Sequence, residues 1–158
     1  MPDQITNAVP ELQFNVAQLL KETTGATRHH TIETTNVRQL DQTVPLAAPL
    51  TGTVSFLRTG KDILVTGQLE TVISKSCARC LVPFEAPIMV ELEELFFPTI
   101  DLITGEHLEV PEEADEANCI SQIHILDLSE IVRQSFVLEN EGLRYCSPDC
   151  KGLCPKCG

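Results

Sequence analysis

Seven cysteines carry the chemistry open to this chain, at positions 77, 80, 119, 146, 150, 154 and 157. Two pairs have the two-residue gap of a metal knuckle, Cys77-Ala-Arg-Cys80 and Cys154-Pro-Lys-Cys157. That gap lets two thiolates reach one ion about 2.3 Å from each sulfur, with main-chain amides turned toward the sulfurs. In the second pair Pro155 shapes the turn, and Gly158 tolerates the positive φ that follows the last ligand. Two knuckles brought together make a tetrahedral site, so Cys77, Cys80, Cys154 and Cys157 are the expected ligands of a structural zinc ion. Cys146 and Cys150 are the alternative ligands, because the tail spacing C-x3-C-x3-C-x2-C could close on one ion unaided. Two arrangements stay open: a site wholly within the tail, or one that joins 77–80 to part of the tail and pins the C-terminal end.

Other chemistries find less support. A redox Cys-x-x-Cys normally follows a strand and opens a helix whose N-terminus acidifies the thiol. Here LVPFEAP follows, with two prolines and strand-like alternation. Cys119 stands alone and reads as a free thiol. The eight glycines are dispersed, so no phosphate-cradling loop is present. His29 and His30 are adjacent in a β-rich run, where successive side chains face opposite ways, and they read as surface histidines. His107 and His124 are isolated, and Glu91, Glu93 and Glu94 read as a solvated strand face. The expectation is a non-enzyme with no small-molecule substrate.

The elements that must hold the cysteines follow from periodicity. The runs LTGTVSFLR and DILVTGQLETVISK flank Thr59-Gly60-Lys61 and predict an antiparallel hairpin. Its expected buried positions are Val54, Phe56, Ile63, Val65, Leu69, Val72 and Ile73. The 77–80 pair then falls at a turn, and FEAPIMVELEELFFP alternates into a further strand. RHHTIETTNV predicts a strand earlier in the chain. FNVAQLLKE predicts a short helix capped by Asn15 and stopped by Gly25, and DLSEIVRQSFVLEN a second helix capped by Asp127 or Ser129. On the second helix Leu128, Ile131, Val132, Ser135 and Phe136 form the apolar face. The resulting class is α+β, with a mostly antiparallel sheet that could close in a barrel-like way. Residues 1–13 read as a flexible lead-in, 14–140 as one domain and 141–158 as a cysteine-rich tail docked on 77–80.

Charge narrows the partners. The chain of 158 residues carries a net charge of −12, which opposes nonspecific attraction to nucleic-acid backbones. From Glu85 to Glu116 there are eleven acids and no Lys or Arg. Residues 99–119 read as a mobile acidic loop or, alternatively, a docking strip for a basic partner. Arg58 and Lys61 at the hairpin tip, with Lys75 and Arg79 near the knuckle, could form a small basic face for RNA or a protein partner. The first residues lack the basic start and apolar run of a secretory signal, and no segment is apolar enough to span a bilayer. The expectation is a cytoplasmic protein with no membrane partner, whose thiols stay reduced.

Taken in order, FNVAQLLKETTG, LTGTVSFLRTGKDILVTGQL, CARCLVPFEAPI, ELEELFFP, IHILDLSEIV and CSPDCKGLCPKCG resemble the YceD family of large ribosomal RNA subunit accumulation proteins. The resemblance runs from Phe14 onward, and the combination of the two cysteine motifs makes it specific. Arg58, Gly67, Cys77, Arg79, Cys80 and the Gly152-Leu153-Cys154-Pro155-x-Cys157-Gly158 residues match the family's recurrent positions. It implies a non-enzymatic role in 23S ribosomal RNA accumulation and large-subunit biogenesis. The implied partner is ribosomal RNA or, alternatively, a basic ribosomal protein or assembly factor met by the acidic stretch. The chain departs from the family pattern at LENEGLRY, where relatives carry an apolar, proline-containing stretch.

Overall fold

A computed structural model describes residues 12–34, 47–140, 142 and 144–156. Residues 1–11, most of the expected lead-in, lie outside the described residues, as do Thr35 to Leu46, Cys157 and Gly158.

The expected hairpin is the spine of the molecule. Strand β3 (Leu50–Thr59) pairs antiparallel with β4 (Asp62–Ser76), and β4 pairs antiparallel with β5 (Pro83–Pro98) along fourteen positions. Alternation explains the length of β5. Ala86, Ile88, Val90 and Leu92 are buried, while Glu85, Met89, Glu91 and Glu93 between them are exposed. Period-2 geometry therefore gives this sheet one apolar and one wetted face. It also corrects one expected core position. Ile73 is buried, so its neighbour Val72 must point the other way, and Val72 is only half-buried.

Strand β2 (Thr27–Thr34) joins the free edge of β3. At the other edge a two-residue strand, β6 (Cys119–Ile120), lies parallel to the end of β5. The order β2-β3-β4-β5-β6 ends in two different edges. Among the described residues the sheet is therefore open, and the barrel-like closure expected from the sequence does not form. Closure would need the first and last strands to pair. β6 offers only two residues, far too few to zip onto the eight of β2.

Two close backbone approaches occur within the hairpin. A Cβ at Gly52 would sit 2.0 Å from the Gln68 carbonyl oxygen, and one at Gly67 would sit 2.4 Å from that of Thr53. No other residue fits either place without moving the backbone.

The apolar face is covered by a small separate layer. Strand β1 (Gln13–Asn15) leads directly into helix α1 (Ala17–Lys21), and β1 pairs antiparallel with β7 (Ile125–Asp127). Helix α2 (Ser129–Asn140) follows β7. Asn15 Oδ1 accepts from the Ala17 amide at 3.0 Å and Asp127 Oδ1 from the Ser129 amide at 2.8 Å, but α1 is capped by Val16, without a side-chain bond, and not by the expected Asn15, which ends β1. Leu128, Ile131, Val132 and Phe136 are buried in one cluster with Leu19, Phe56, Leu69 and Phe96. Leu12, assigned from sequence to the lead-in, belongs to this core at 0% exposure, and its carbonyl accepts from the Leu128 amide at 2.9 Å. Its apolar side chain has nowhere else to go once β1 pairs with β7.

Two other sequence expectations change. Residues 99–119 are built rather than featureless. Asp101 Oδ1 accepts from the Ile103 and Thr104 amides, both at 2.8 Å, Ile100 bridges His107, and a 3-10 turn at Glu116–Asn118 precedes β6. These main-chain bonds hold the Asp101 carboxyl below its usual range. His29 is exposed as expected, but its neighbour His30 is half-buried against Phe14 and Phe56, with ring centroids 4.7 and 4.9 Å away. Burial, with the charges of Arg28 and His29, lowers its pKa from 6.5.

Candidate functional site

The turn between β4 and β5 is the knuckle expected from Cys77-Ala-Arg-Cys80. The Leu81 amide donates to the Cys77 carbonyl at 3.0 Å, and the Cys77 amide to the Val82 carbonyl at 2.9 Å. The Arg79 amide points at Cys77 Sγ, 3.4 Å away. Closing the turn puts Leu81 at φ 64°, the left-handed region in which only glycine is relaxed.

Four contacts bring the tail to this turn. The Ala78 amide donates to the Arg144 carbonyl at 2.9 Å, and Lys75 Nζ to the Gly142 carbonyl at 2.9 Å. Arg79 Nη1 donates to the Cys150 carbonyl at 2.9 Å, and its guanidinium lies 4.3 Å from the centre of the Tyr145 ring. Gly152, at φ 82°, passes beside the Arg79 backbone.

The outcome is a cluster of Cys77, Cys80, Cys146 and Cys150, whose sulfurs all lie within 4.8 Å of one another. Cys77 and Cys150 sulfurs are 3.6 Å apart, as are those of Cys80 and Cys146. A tetrahedron of sulfurs about 2.3 Å from a zinc ion has edges of about 3.8 Å. The spacing thus suits a shared ion, and it is far beyond the roughly 2 Å of a disulfide. The cluster could hold a metal ion, and it joins the 77–80 turn to the tail as one of the two sequence arrangements required. The favoured pairing within the tail is different, however. Cys154 is exposed and outside the cluster, and Cys157 lies outside the described residues. Cys146 and Cys150 follow closely on Arg144 and Tyr145, which meet the turn at Ala78 and Arg79. Spacing had favoured Cys154 and Cys157, whereas the Arg79–Tyr145 contact was visible in neither motif.

The thiol acidities would favour a cation shared among them. Burial pushes the Cys77 thiol up, but amides from Cys80, Cys146 and Arg79 outweigh it and bring it down to about 5. Cys80 is raised: the Val82 amide pulls it down, but burial and the Cys77 and Cys150 thiols together prevail. The thiols of Cys150 and Cys80 push Cys146 up to about 12. One thiolate is thus ready at neutral pH, and it resists ionisation of its neighbours unless a positive ion shares the site.

The four cations expected to make one basic face are separated. Lys75 and Arg79 sit at the knuckle and are engaged by the tail, where burial and the Arg144 charge lower the Lys75 pKa. Arg58 and Lys61 sit at the opposite end of β4, at the hairpin tip. Arg58 Nε donates to the Gly60 carbonyl at 3.0 Å and its Nη1 donates to the Glu22 carbonyl, which ties the tip to the end of α1. The expected site residues thus form two groups, about 45 Å apart along the strand at roughly 3.3 Å per residue. A cavity of about 220 Å³ at the tip, lined by Arg58, Lys61 and Lys21 among others, was not anticipated. No single motif encodes it, since it is made where α1, the hairpin tip and the 98–108 loop converge. Cys119 is half-buried, and burial followed by the charges of Glu116 and Asp115 raises its pKa.

These features define a small α+β protein with an open one-sided sheet whose central turn forms a cysteine clasp with its own tail. The chain belongs to the YceD family: the profile described as "Large ribosomal RNA subunit accumulation protein YceD" matches residues 65–158, more than half of it. Uncharacterized proteins of Mycobacterium bovis and Mycobacterium tuberculosis are 36% identical over 99 residues, covering 62% of this chain and 44% of theirs. An uncharacterized protein of Mycobacterium leprae is 26% identical over 113 residues, covering 70% of this chain and 48% of its own. The chain thus spans less than half the length of these relatives. No solved structure matches it. Among the described residues no helix is long and apolar enough to cross a membrane.

Proposed function

We propose that the chain is a non-enzymatic cytoplasmic factor that supports accumulation of 23S ribosomal RNA during large-subunit biogenesis. Its family membership carries this reading. In it, residues 14–140 are one folded unit, with the tail from 141 held on the 77–80 turn by a structural zinc ion. The ligands are Cys77, Cys80, Cys146 and Cys150, supported by the 3.6 Å sulfur separations. Cys154 and Cys157 are then not needed for the ion. Of the four tentative contact residues, Arg58 and Lys61 at the tip are the ones left to meet RNA. Depleting the protein from its host should lower the ratio of 23S to 16S ribosomal RNA, and re-expression should restore it. An unchanged ratio would refute the role.

A second reading has one observation in its favour. The wetted face of the sheet carries Glu70, Glu85, Glu91 and Glu93 around the exposed Met89. A basic ribosomal protein or assembly factor could dock there without direct RNA contact, drawn in by charge. Co-purification with such a protein that survives ribonuclease, and is lost on Glu91→Lys with Glu93→Lys, would favour this reading.

A further inference from the structure

The hairpin-tip cavity combines an apolar floor with three cations and a single carboxylate, Asp101. Leu20 of α1 and Ile100, Leu102 and Leu108 of the following loop line it, and Ile103 at its rim is 91% exposed. Lys21, Arg58 and Lys61 reach it from three separate elements. Among the described residues the ion pairs are Arg28–Glu22, Arg133–Glu130 and Arg144–Glu139, so none of these three cations is in one. Arg58 is held by two neutral carbonyls, which fix the guanidinium in place and leave its charge intact. The acid on the lining, Asp101, accepts from two amides of its own loop. A positive, partly apolar cavity in a chain of net charge −12 calls for a ligand that joins one apolar group to one strong anion.

We infer that this cavity takes a single nucleotide of single-stranded RNA, its unstacked base against Leu20, Ile100, Leu102 and Leu108 and its phosphate at Lys21, Arg58 and Lys61. The inference rests on the reading of the chain as a ribosomal RNA accumulation factor. The volume is below the 300–1,000 Å³ or so of sites for drug-sized molecules, and it suits one base. The acidic surface elsewhere repels a polyanion, so contact is confined to this point and to unpaired strands whose bases can be splayed out.

The test is fluorescence anisotropy of the full chain with a labelled mixed-sequence single-stranded RNA of about 12 nucleotides. One phosphate held by the three cations predicts that log K falls with log salt at a slope of about −0.7 on a single strand. Lys21→Gln and Lys61→Gln lie at exposed positions and should leave thermal unfolding unchanged. Together they should remove most of that slope and weaken binding up to about 5-fold at about 0.1 M salt. Leu102→Trp, which fills the cavity, should weaken binding with the slope kept. Wild-type affinity in the double lysine variant overturns the cavity while leaving RNA binding intact. Equal affinity for duplex RNA, or preference for a Glu-rich peptide bearing one Leu, also overturns it. If the wild type binds no RNA while depletion still lowers 23S RNA, this inference fails and the accumulation role stands.

Discussion

The two ends of β4 use the same residue types for opposite purposes. At the knuckle, Lys75 and Arg79 are spent inward, on main-chain carbonyls and a ring of the tail. At the tip, Arg58 is pinned by carbonyls, while Lys21 and Lys61 face a cavity without an ion pair. Asp62 stands beside Lys61: burial raises its carboxyl pKa against the pull of that lysine, and among the described residues its buried Oδ1 has no hydrogen-bond partner. Charge alone therefore says little about role. What separates the ends is whether another segment of chain is docked over them. The knuckle end is built to hold the protein's own tail, and the tip end is left open to something else.

The contrast can be broken at the clasp first. Cys77→Ser removes the ligand that is ionised most readily, and native mass spectrometry should show the zinc lost. Hydrogen exchange over 144–156 should then accelerate by orders of magnitude, with protection at the hairpin tip unchanged, because metal binding supplies the free energy of ordering such a segment. Cys154→Ser should retain the metal. Metal lost in Cys154→Ser but kept in Cys146→Ser would reverse the ligand assignment. Lowering pH should also release the ion, since the ligands must be thiolates and even Cys77 is protonated below about 5.

Both ends should suffer alike when the strand between them is disturbed. Gly67→Ala puts a methyl group against the Thr53 carbonyl and should cost about 1–3 kcal/mol in denaturant titration, with metal content kept. A neutral Gly67→Ala would mean that β3 and β4 can separate there freely.

A smaller effect belongs to the tip half of the sheet, where His30 packs against Phe14 and Phe56. Its folded pKa lies below 6.5, so the unfolded chain binds more protons in the window just under that value. Stability should therefore be full above about pH 7 and decline as pH falls through 6.5, by a fraction of the 1.4 kcal/mol that one pKa unit represents. His30→Gln should flatten that part of the pH profile in thermal unfolding, and an unchanged slope would assign the effect elsewhere.

The smallest effect sharpens the knuckle. Leu81 is 62% exposed at φ 64°, so Leu81→Gly removes backbone strain and loses little packing. The relief of about 1–2 kcal/mol is partly cancelled by the added freedom of glycine in the unfolded chain. A net gain of about 0.5 kcal/mol is expected, read as a raised melting temperature of the metal-bound protein.

Much of this molecule was legible from local pattern. The strict alternation of Ala86, Ile88, Val90 and Leu92 with Glu85, Glu91 and Glu93 determined β5 and the face it buries, because side chains on a strand must alternate. Thr59-Gly60-Lys61 determined the hairpin, Asp127 the start of the second helix, and Cys77-Ala-Arg-Cys80 the knuckle between two strands. The residue types and spacings also pointed to a clasp between that knuckle and the tail. Tertiary structure alone decided which tail cysteines meet it. Six thiols with similar local spacing are equivalent in sequence, and the choice depends on where Arg144 and Tyr145 dock against Arg79. It decided likewise that the sheet stays open, that Leu12 is core, that His30 packs against two phenylalanine rings, and that the four cations split into two groups. Each of these is a meeting of segments distant along the chain, and local pattern carries no information about which distant partner arrives.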